Sequence, residues 1–273
     1  MGADRGGALL CLTATAVTAY VPYRDRLAQP PRLPLLIGAN RDEFHDRPSL
    51  PAGFWCDAPQ LCAGRDLLAG GSWLGITRGG RFAALTNFRA PEAKASNAPS
   101  RGELVSAFLR GSDTPRSYLE QLQPQAARHA GFNLLLGELG GELYYFSNRA
   151  DAIRRLEPGV YGLSNHLLDT PWPKVRAARA NLAALIEAEP GTDEIFALLG
   201  ERSLPPAHEL PDTGVGQQHE QLLAPCFIVS ERYGTRASTV VRVSREGRVE
   251  FEEHSFDARG KRQQTVAHRF RIT

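Results

Sequence analysis

The sequence has few cysteines, no long apolar run and almost no net charge, and each absence excludes a class of protein. The four cysteines form no C-x-x-C pair and no His/Cys cluster with zinc spacing, so we expect neither a disulfide framework nor a metal site; they are Cys11, Cys56, Cys62 and Cys226. No window approaches the roughly 20 consecutive apolar residues of a membrane-spanning helix. The net charge of +2 gives no reason to expect nucleic acid as a partner. We therefore interpret the chain of 273 residues as a cytoplasmic globular protein.

The pattern of turns and apolar residues predicts an α+β protein. Glycine-containing turns separate pairs of β-prone segments at 79–80, 140–141 and 245–247, which is typical of hairpins. Helical signals lie between these hairpins: Ser100 and Glu103 form a capping box, Thr114 precedes a proline, and residues 173–188 are rich in alanine. Because strands and helices do not alternate strictly, we expect antiparallel sheets covered by helices.

Four segments end an apolar strand in polar side chains: IGANRDEF (37–44), AALTNFR (83–89), YGLSNHLLDTPWP (161–173) and YGTRAST (233–239). Strand ends on a rigid scaffold are places where side chains from distant parts of a chain can assemble a site. A single asparagine at such a position more often only caps a turn. Three asparagines, together with an aspartate and an arginine, favour a functional site.

The order of these motifs resembles the NRDE family, which is also called the transport and Golgi organisation family. The resemblance runs from Cys11 to about Phe256 and is carried by GANRDEFHDRP, AGRDLLAGGSWLGITR, RFAALTNFR, SRGELV, GFNLLLGE, SNRA, GLSNHLLDTPWPKV and YGTRASTVV. It implies an N-terminal-nucleophile hydrolase fold, which is a four-layer αββα sandwich with helices outside two antiparallel sheets. It also implies that residues 11–273 form a single NRDE domain.

The resemblance further implies a cysteine at the N-terminus of the mature chain. NRDE proteins typically begin Met-Cys-Leu, and Cys11-Leu12 is similar to that start. In the related penicillin V acylases and bile salt hydrolases, the first residue is a cysteine whose own α-amino group is the base. Residues 1–10 are then either a propeptide or the product of a misassigned start, since some leucine codons initiate translation in bacteria.

By similarity to these acylases, the candidate catalytic residues are Cys11, Asp42, Asn87, Asn165 and Arg236. Cys11 would attack an amide carbonyl, Asp42 would hold the α-amine, the two asparagines would stabilise the oxyanion, and Arg236 would orient Cys11. We predict that these five residues converge on one pocket. We assign ligand binding to polar and aromatic residues of the same motifs: Asn40, Arg41, Arg65, Trp73 and Arg89.

One position departs from the acylase pattern. The acylases carry an arginine roughly where this chain has Gly38 or Ala39, whereas here Arg41 follows. Arg41 either replaces that charge or marks a chain that has lost the reaction. Because neighbours on a strand alternate faces, Arg41 and Glu43 should point away from a pocket-facing Asp42 and pair with Arg65 and Asp66.

Two functions stay open on the sequence alone. The first is a cysteine-nucleophile amidohydrolase that acts on a non-peptide C–N bond of a small molecule or lipid and uses no cofactor. The second is a non-catalytic protein that binds or traffics haem or a lipid, as the NRDE resemblance also implies; Cys11, His45 and His219 are then candidate haem ligands. A third interpretation, an interaction-only role for the irregular segment 201–225, ranks last.

Overall fold

Two stacked antiparallel sheets form the centre of the protein. The computed structural model describes residues 17–21 as backbone, and residues 35–91, 98–150, 152–186, 188 and 190–273 with their side chains. Numbered along the chain, the strands of the first sheet lie in the order β10 (Gly159–Leu163), β1 (Val17–Val21), β2 (Leu35–Phe44), β11 (Tyr233–Val243), β12 (Arg248–Phe256) and β13 (Arg262–Arg271). Those of the second lie in the order β3 (Ser49–Trp55), β4 (Ala58–Asp66), β5 (Leu74–Thr77), β6 (Arg81–Asn87), β7 (Phe132–Glu138), β8 (Leu143–Ser147) and β9 (Arg154–Leu156).

Helices cover the outer face of each sheet. The second sheet packs against α1 (Arg101–Arg110) and α2 (Pro115–Leu122), and the first against α3 (Pro173–Ile186) and α4 (Thr192–Leu199). The segment after α4 contains α5 (Gln217–Leu222) and a short 3-10 helix (Ala207–Glu209), and a second 3-10 helix (Gln123–Arg128) follows α2. The predicted four-layer α+β sandwich is confirmed.

The alternation of β2 shows why the layers stack. Leu35, Ile37 and Ala39 lie in the core between the sheets, whereas Leu36 packs with Ile195 under α4. Full burial of a leucine or isoleucine contributes about 2 kcal/mol each. Both faces of β2 are therefore apolar over its first half, and the strand belongs in the middle of a four-layer structure.

The predicted helix starts are correct in position, although one predicted contact is absent. Thr114 caps α2 by accepting a hydrogen bond from the Ser117 backbone N–H at 3.2 Å. Ser100 occupies the N-cap position of α1, but its side chain makes no capping hydrogen bond.

Part of the predicted organisation falls outside the described residues. Of the strand predicted over residues 11–20, the part from Val17 onward is described, and it lies between β10 and β2. The division into an extension of residues 1–10 and one domain of residues 11–273 stays a prediction. Within the described ranges, no helix is long and apolar enough to cross a membrane.

Candidate functional site

The polar end of β2 presents its side chains to two different faces of the sheet. Asn40, Arg41, Asp42 and Glu43 are each no more than 3% exposed. Asn40 and Asp42 face the layer of α3 and α4, where Asn40 Nδ2 donates to the last carbonyl of α4 at 2.8 Å. Arg41 and Glu43 face the second sheet, where Arg41 lies 3.4 Å from Asp66. The predicted alternation, and the predicted pairing of Arg41 with Asp66, are confirmed.

A pocket of about 280 Å³ opens on the Arg41 face, between the ends of the two sheets and the first turn of α1. We call it the main pocket. Its polar lining comprises Arg41, Glu43, Arg47, Asp66, Ser72, Asn87, Ser100 and Arg101, and its apolar lining includes Leu68, Ala69, Trp73 and Leu85. Its volume is near the lower end of the range of small-molecule sites. Arg41 and Glu43 line it and Asp42 does not: Ala39 lies between the sheets, and the period of two carries Arg41 to that same side.

Four charged side chains form one wall of the main pocket. Arg41 lies 3.4 Å from Asp66 and 3.9 Å from Glu43. Arg47 Nε lies 2.5 Å from Asp66 and 3.5 Å from Glu43. The Arg41 guanidinium also stacks over the Trp73 ring at 4.3 Å. Burial opposes ionisation of Asp66 most strongly, but the hydrogen bonds from Arg47 and the Ala69 backbone, together with the charges of Arg47 and Arg41, outweigh it and hold the pKa of Asp66 below its usual value. The two arginines and two carboxylates of this wall therefore balance one another, and these ion pairs and the Trp73 ring hold them in place.

Asn87, the last residue of β6, contributes its amide to the main pocket. Its side chain is 2% exposed, and its Nδ2 has no hydrogen-bond partner among the described residues. Leaving a buried amide group unpaired costs about 1–3 kcal/mol, so such a group in a pocket points to a ligand or a further partner. The Asn87 carbonyl accepts a hydrogen bond from Asn165 Nδ2 at 3.1 Å. The two asparagines predicted to stabilise an oxyanion are therefore neighbours.

Asp42 belongs to a second polar cluster, which lies on the α3 and α4 face of the sheet. We call it the helix-layer cluster, and it comprises Asp42, Thr235, Lys174 and Glu220. Asp42 Oδ1 accepts a hydrogen bond from Thr235 Oγ1 at 2.6 Å. Burial raises the pKa of Asp42 to about 7, and the positive charge of Lys174 opposes that rise. Burial lowers the pKa of Lys174 to about 8. Asp42 is therefore a buried carboxylate that a further cation nearby would stabilise.

Arg89 connects Asn165 with the helix-layer cluster. It is 2% exposed, and its Nη1 lies 2.6 Å from Glu220 Oε2. Its Nη2 donates to Asn165 Oδ1 at 3.4 Å, and its guanidinium stacks over Trp172 at 4.7 Å. The predicted ligand-binding residue Arg89 thus holds Asn165 in place from inside the protein.

The chain is similar to known proteins in sequence and in fold. Over residues 23–258 the chain matches the Transport and Golgi organisation 2 family. The chain belongs to this family. The Transport and Golgi organization protein 2 homolog of Bos taurus is 35% identical over 256 residues, which is 87% of this chain and 92% of the bovine protein. The predicted NRDE membership is thereby confirmed.

More distant proteins extend the likeness. The Transport and Golgi organization protein 2 of Drosophila melanogaster is 28% identical over 257 residues, covering 85% of this chain and 89% of the fly protein. A solved structure of a mutant conjugated bile acid hydrolase from Clostridium perfringens has a TM-score of 0.52 at 10% identity, covering 94% of this chain and 92% of that one. At this identity the likeness shows the fold alone, and the predicted N-terminal-nucleophile hydrolase fold is confirmed.

Three predicted site residues of this Transport and Golgi organisation 2 family member make contacts outside the main pocket. Arg236 donates to the carbonyls of Phe44 at 2.9 Å and Arg47 at 2.7 Å, so it holds the turn after β2. Arg65 pairs with Asp57 at 2.6 Å. The prediction that Arg65 pairs with Arg41 and Glu43 is wrong, because the side chain of Arg65 points outward from β4. Asn40 is locked by hydrogen bonds to α4 and from Ser238, at 2.8 and 2.6 Å.

The predicted convergence on one pocket is therefore only partly observed. Asn87 lines the main pocket and Asn165 adjoins it, whereas Asp42 lies across β2 from that pocket. Trp73 and Arg41, which were assigned to ligand binding, do line it. Cys11 lies outside the described residues. The catalytic roles of all five residues stay predictions.

The sequence interpretation missed two charged residues of the helix-layer cluster, Lys174 and Glu220. A signal for Lys174 existed in PWPKV, because a lysine in the first turn of a helix is opposed by the helix macrodipole and therefore needs a reason to be there. Glu220 lies in the polar stretch Gln217–Leu222 and carries no local signal; its partner Arg89 is 131 positions away in the sequence.

The two candidate haem ligands that the structure describes, His45 and His219, do not line the main pocket. The ring of His45 is hydrogen-bonded through Nε2 to the Ser230 carbonyl at 3.0 Å, and His219 is exposed on α5. In the part of the chain that the structure describes, no group of three or more His, Cys, Asp or Glu residues is placed to hold a metal ion. Cys11 lies outside the described residues, and haem binding stays a prediction.

Proposed function

We propose that this protein is an N-terminal-cysteine hydrolase that cleaves a non-peptide amide bond of a small molecule or lipid. The observation that carries the proposal is the amide of Asn87, which is buried in the wall of the main pocket with its Nδ2 unpaired among the described residues. A preorganised donor of this kind stabilises the oxyanion that forms when a nucleophile attacks a carbonyl, typically by about 3 kcal/mol.

The position of β1 supports Cys11 as the nucleophile. Val17 begins β1 and lies between Ala39 of β2 and Leu163 of β10. Asp42 and Asn165 lie beyond these two partners, at the edge from which the chain enters β1. Cys11 precedes Val17 by six residues, a length of chain that reaches at most about 20 Å. This length of chain allows Cys11 to reach the edge at which the candidate site is built.

The two faces of β2 have different roles in this mechanism. The α-amine of a strand residue lies in the plane of its sheet, so a side chain on either face can bind it, whereas the thiol must point at the substrate. Asp42 on the helix-layer face is then the carboxylate that holds the amine, and Asn87 on the pocket face receives the carbonyl oxygen. Arg41 and Trp73 shape the wall against which the substrate lies.

The reaction proceeds in two steps. The α-amine accepts the thiol proton, the thiolate adds to the amide carbonyl, and the tetrahedral oxyanion is stabilised by Asn87. Collapse expels the amine product, which takes the proton, and leaves a thioester on Cys11. Water, deprotonated by the same α-amine, then hydrolyses the thioester and releases the acid. An α-amine with a pKa near 8 and a thiol with a pKa near 8.5 are close enough to exchange the proton at neutral pH.

One observation favours the binding alternative. Leu67 and Leu68 are 51% and 69% exposed in the turn after β4, and Leu68 lines the main pocket. An exposed apolar rim beside a pocket suits a lipid-like ligand, and holding such a ligand requires no free α-amine on Cys11.

The decisive experiment uses a chain that begins at Cys11, released from a cleavable tag, beside the full chain. Both are incubated with N-acyl amides of differing acyl length, and acyl adducts are sought by intact-mass and peptide analysis. We expect a thioester on Cys11 of the shorter chain. Thiol reactivity is mapped in parallel with iodoacetamide, using exposed Cys56 as the internal comparator. Amide binding without any adduct or hydrolysis, together with a Cys11 no faster than Cys56, would establish the binding alternative instead.

A further inference from the structure

Glu220 is a buried charge on an exposed helix, and the proposed reaction leaves it unexplained. Among the residues of α5, all of which the structure describes, Glu220 alone is buried. Its side chain is 3% exposed, and that of its partner Arg89 is 1% exposed. A buried ion pair is often no more stabilising than apolar residues of similar volume, so stability alone does not explain it. Unlike an apolar contact, however, a hydrogen-bonded ion pair fixes the direction of both side chains.

Both oxygens of the Glu220 carboxylate accept hydrogen bonds. Oε1 accepts from the backbone N–H of Thr213 at 2.8 Å and from the Thr213 hydroxyl, so the loop before α5 holds one side of the group. Oε2 accepts from Arg89 Nη1 at 2.6 Å. The Arg89 guanidinium also stacks over the ring of Trp172 at 4.7 Å. The guanidinium is therefore held both at its edge and at its face.

Arg89 is joined to Asn165 by two hydrogen bonds. Its Nη2 donates to Asn165 Oδ1 at 3.4 Å, and its backbone N–H donates to the Asn165 carbonyl at 2.6 Å. Because Oδ1 of Asn165 lies on Arg89, the other end of the amide is turned towards β6, where Nδ2 donates to the Asn87 carbonyl at 3.1 Å. A continuous series of contacts therefore leads from Glu220 to Asn87.

The last contact of this series restrains the backbone at Asn87. Asn87 ends β6, at the point where the ladder to β7 also ends. The hydrogen bond from Asn165 fixes the peptide group that follows Asn87, and the direction of a side chain depends on the backbone that carries it. We propose that Glu220 is a positioning residue of the reaction proposed above, on which this inference rests. Acting through Arg89 and Asn165, it keeps the Asn87 amide directed into the main pocket.

Two variants alter this series of contacts with little change in side-chain volume. Glu220→Gln keeps the shape of the side chain but has one oxygen for two sets of donors. Arg89→Lys keeps the buried ion pair, so it covers the case in which Glu220→Gln does not fold. Its single ammonium group cannot hold Glu220 and Asn165 together as a guanidinium fork does. Both variants should therefore release Asn165, and with it the end of β6.

Hydrogen exchange of the full chain, followed by mass spectrometry, tests the positioning without a substrate. Both variants should exchange about tenfold faster in peptides covering 86–90 and 162–168, as expected for the loss of one charge-assisted hydrogen bond, whereas β11 and β12 should exchange as in the wild type. Glu209→Gln is the matched control, because Glu209 lies in the same segment as α5 and pairs with Arg176 at the surface. It should exchange as the wild type does in both peptides. Faster exchange in all strands alike, or unchanged exchange in 86–90, would overturn the proposal.

Kinetics separate positioning from a structural role of Glu220. In the chain that begins at Cys11, with the N-acyl amide that the wild type hydrolyses fastest, Glu220→Gln should lower kcat by about 10- to 100-fold and change KM by less than about twofold, because a small displacement of a catalytic group has an effect of this size. In Asn87→Ala the same substitution should lower kcat by less than about twofold, since the donor that it positions is already absent. Losses that multiply would overturn the proposal. If the wild type hydrolyses no amide, the proposed function fails, and hydrogen exchange still decides whether Glu220 holds Asn87 in place.

Discussion

Arg41 and Asp42 are adjacent in the sequence, yet their side chains lie on opposite faces of β2. Arg41 lies 3.4 Å from Asp66 in the wall of the main pocket, whereas Asp42 accepts a hydrogen bond from Thr235 at 2.6 Å in the helix-layer cluster. One strand thus supplies both a charge in the wall of the main pocket and a carboxylate that is shielded from that pocket. Substitutions on the two faces should therefore have different consequences.

Asn87→Ala should reduce kcat/KM by about 100- to 1000-fold, since one oxyanion donor contributes about 3 kcal/mol. Its melting temperature should change little, because Nδ2 makes no hydrogen bond with the described residues. Asn133 is the matched control: its amide donates to Thr86 at 2.9 Å and to the His166 carbonyl at 3.0 Å. Asn133→Ala should therefore lower the melting temperature by several degrees. Steady-state kinetics and thermal denaturation check both variants, and an Asn87→Ala enzyme with unchanged kcat/KM would remove the main support for hydrolysis.

Asp42 should make the protein less stable as the pH rises. Its pKa of about 7 in the folded state lies above the ordinary value near 3.9, so the folded state binds the proton more tightly than the unfolded state does. Stability should fall between about pH 4 and pH 7 and then level off. The free energy of unfolding of Asp42→Asn, relative to that of the wild type, should therefore increase by more than about 1 kcal/mol from pH 4.5 to pH 7.5.

Urea denaturation at the two pH values measures this difference. Asp57→Asn is the control without a pH-dependent effect in this range: the hydrogen bond from Arg65 holds the pKa of exposed Asp57 below its usual value, so its stability contribution changes only at lower pH. If the difference in free energy of unfolding between the wild type and Asp42→Asn were the same at both pH values, Asp42 would not be the cause of the pH dependence.

The fold and part of the candidate site could be predicted from the sequence, for reasons that individual residues make clear. The hairpin turns and the apolar strands are local signals, and they indicated antiparallel sheets covered by helices; the four-layer arrangement came from the family resemblance. The order of motifs indicated the family. The orientation of Asp42 depended on whether β2 ends at Asn40 or continues to Phe44, and no local signal decides that.

The contacts of the charged residues were harder to predict because they join distant parts of the chain. The prediction that Arg236 orients Cys11 stays untested, but its contact with the turn after β2, beside the register shift between Thr235 and Ala237, was not predicted. Arg89 pairs with Glu220 on α5, a helix that is too short to show a helical pattern in the sequence. Such pairings follow from the tertiary structure, so composition and spacing do not reveal them.

Gly38→Ala should lower stability by about 1–3 kcal/mol, since α4 packs directly on β2 at this glycine. A Cβ atom at Gly38 would lie 2.8 Å from Ile195 Cγ2, so the helix would have to move away from the sheet. Gly53→Ala is the control, because a Cβ atom there meets no atom within 4 Å. Equal melting temperatures of the two variants would contradict the close packing of α4.

Exposing the α-amine of Cys11 should raise hydrolytic activity. In the mechanism proposed here the base is the amine of the nucleophile itself, and a positioned general base typically contributes a factor of about 100 to 10,000. A chain that begins at Leu10 differs by one residue, yet its Cys11 nitrogen is an amide and accepts no proton. We therefore expect the chain that begins at Cys11 to be active, and the chains that begin at Leu10 or Met1 to be slower by at least about 100-fold. All three keep the same thiol, so equal alkylation of exposed Cys56 shows that they are equally labelled, and equal protection of buried Cys62 shows that they are equally folded. Equal hydrolysis by the three chains would mean that another group is the base, and Asp42 would then have no amine to hold.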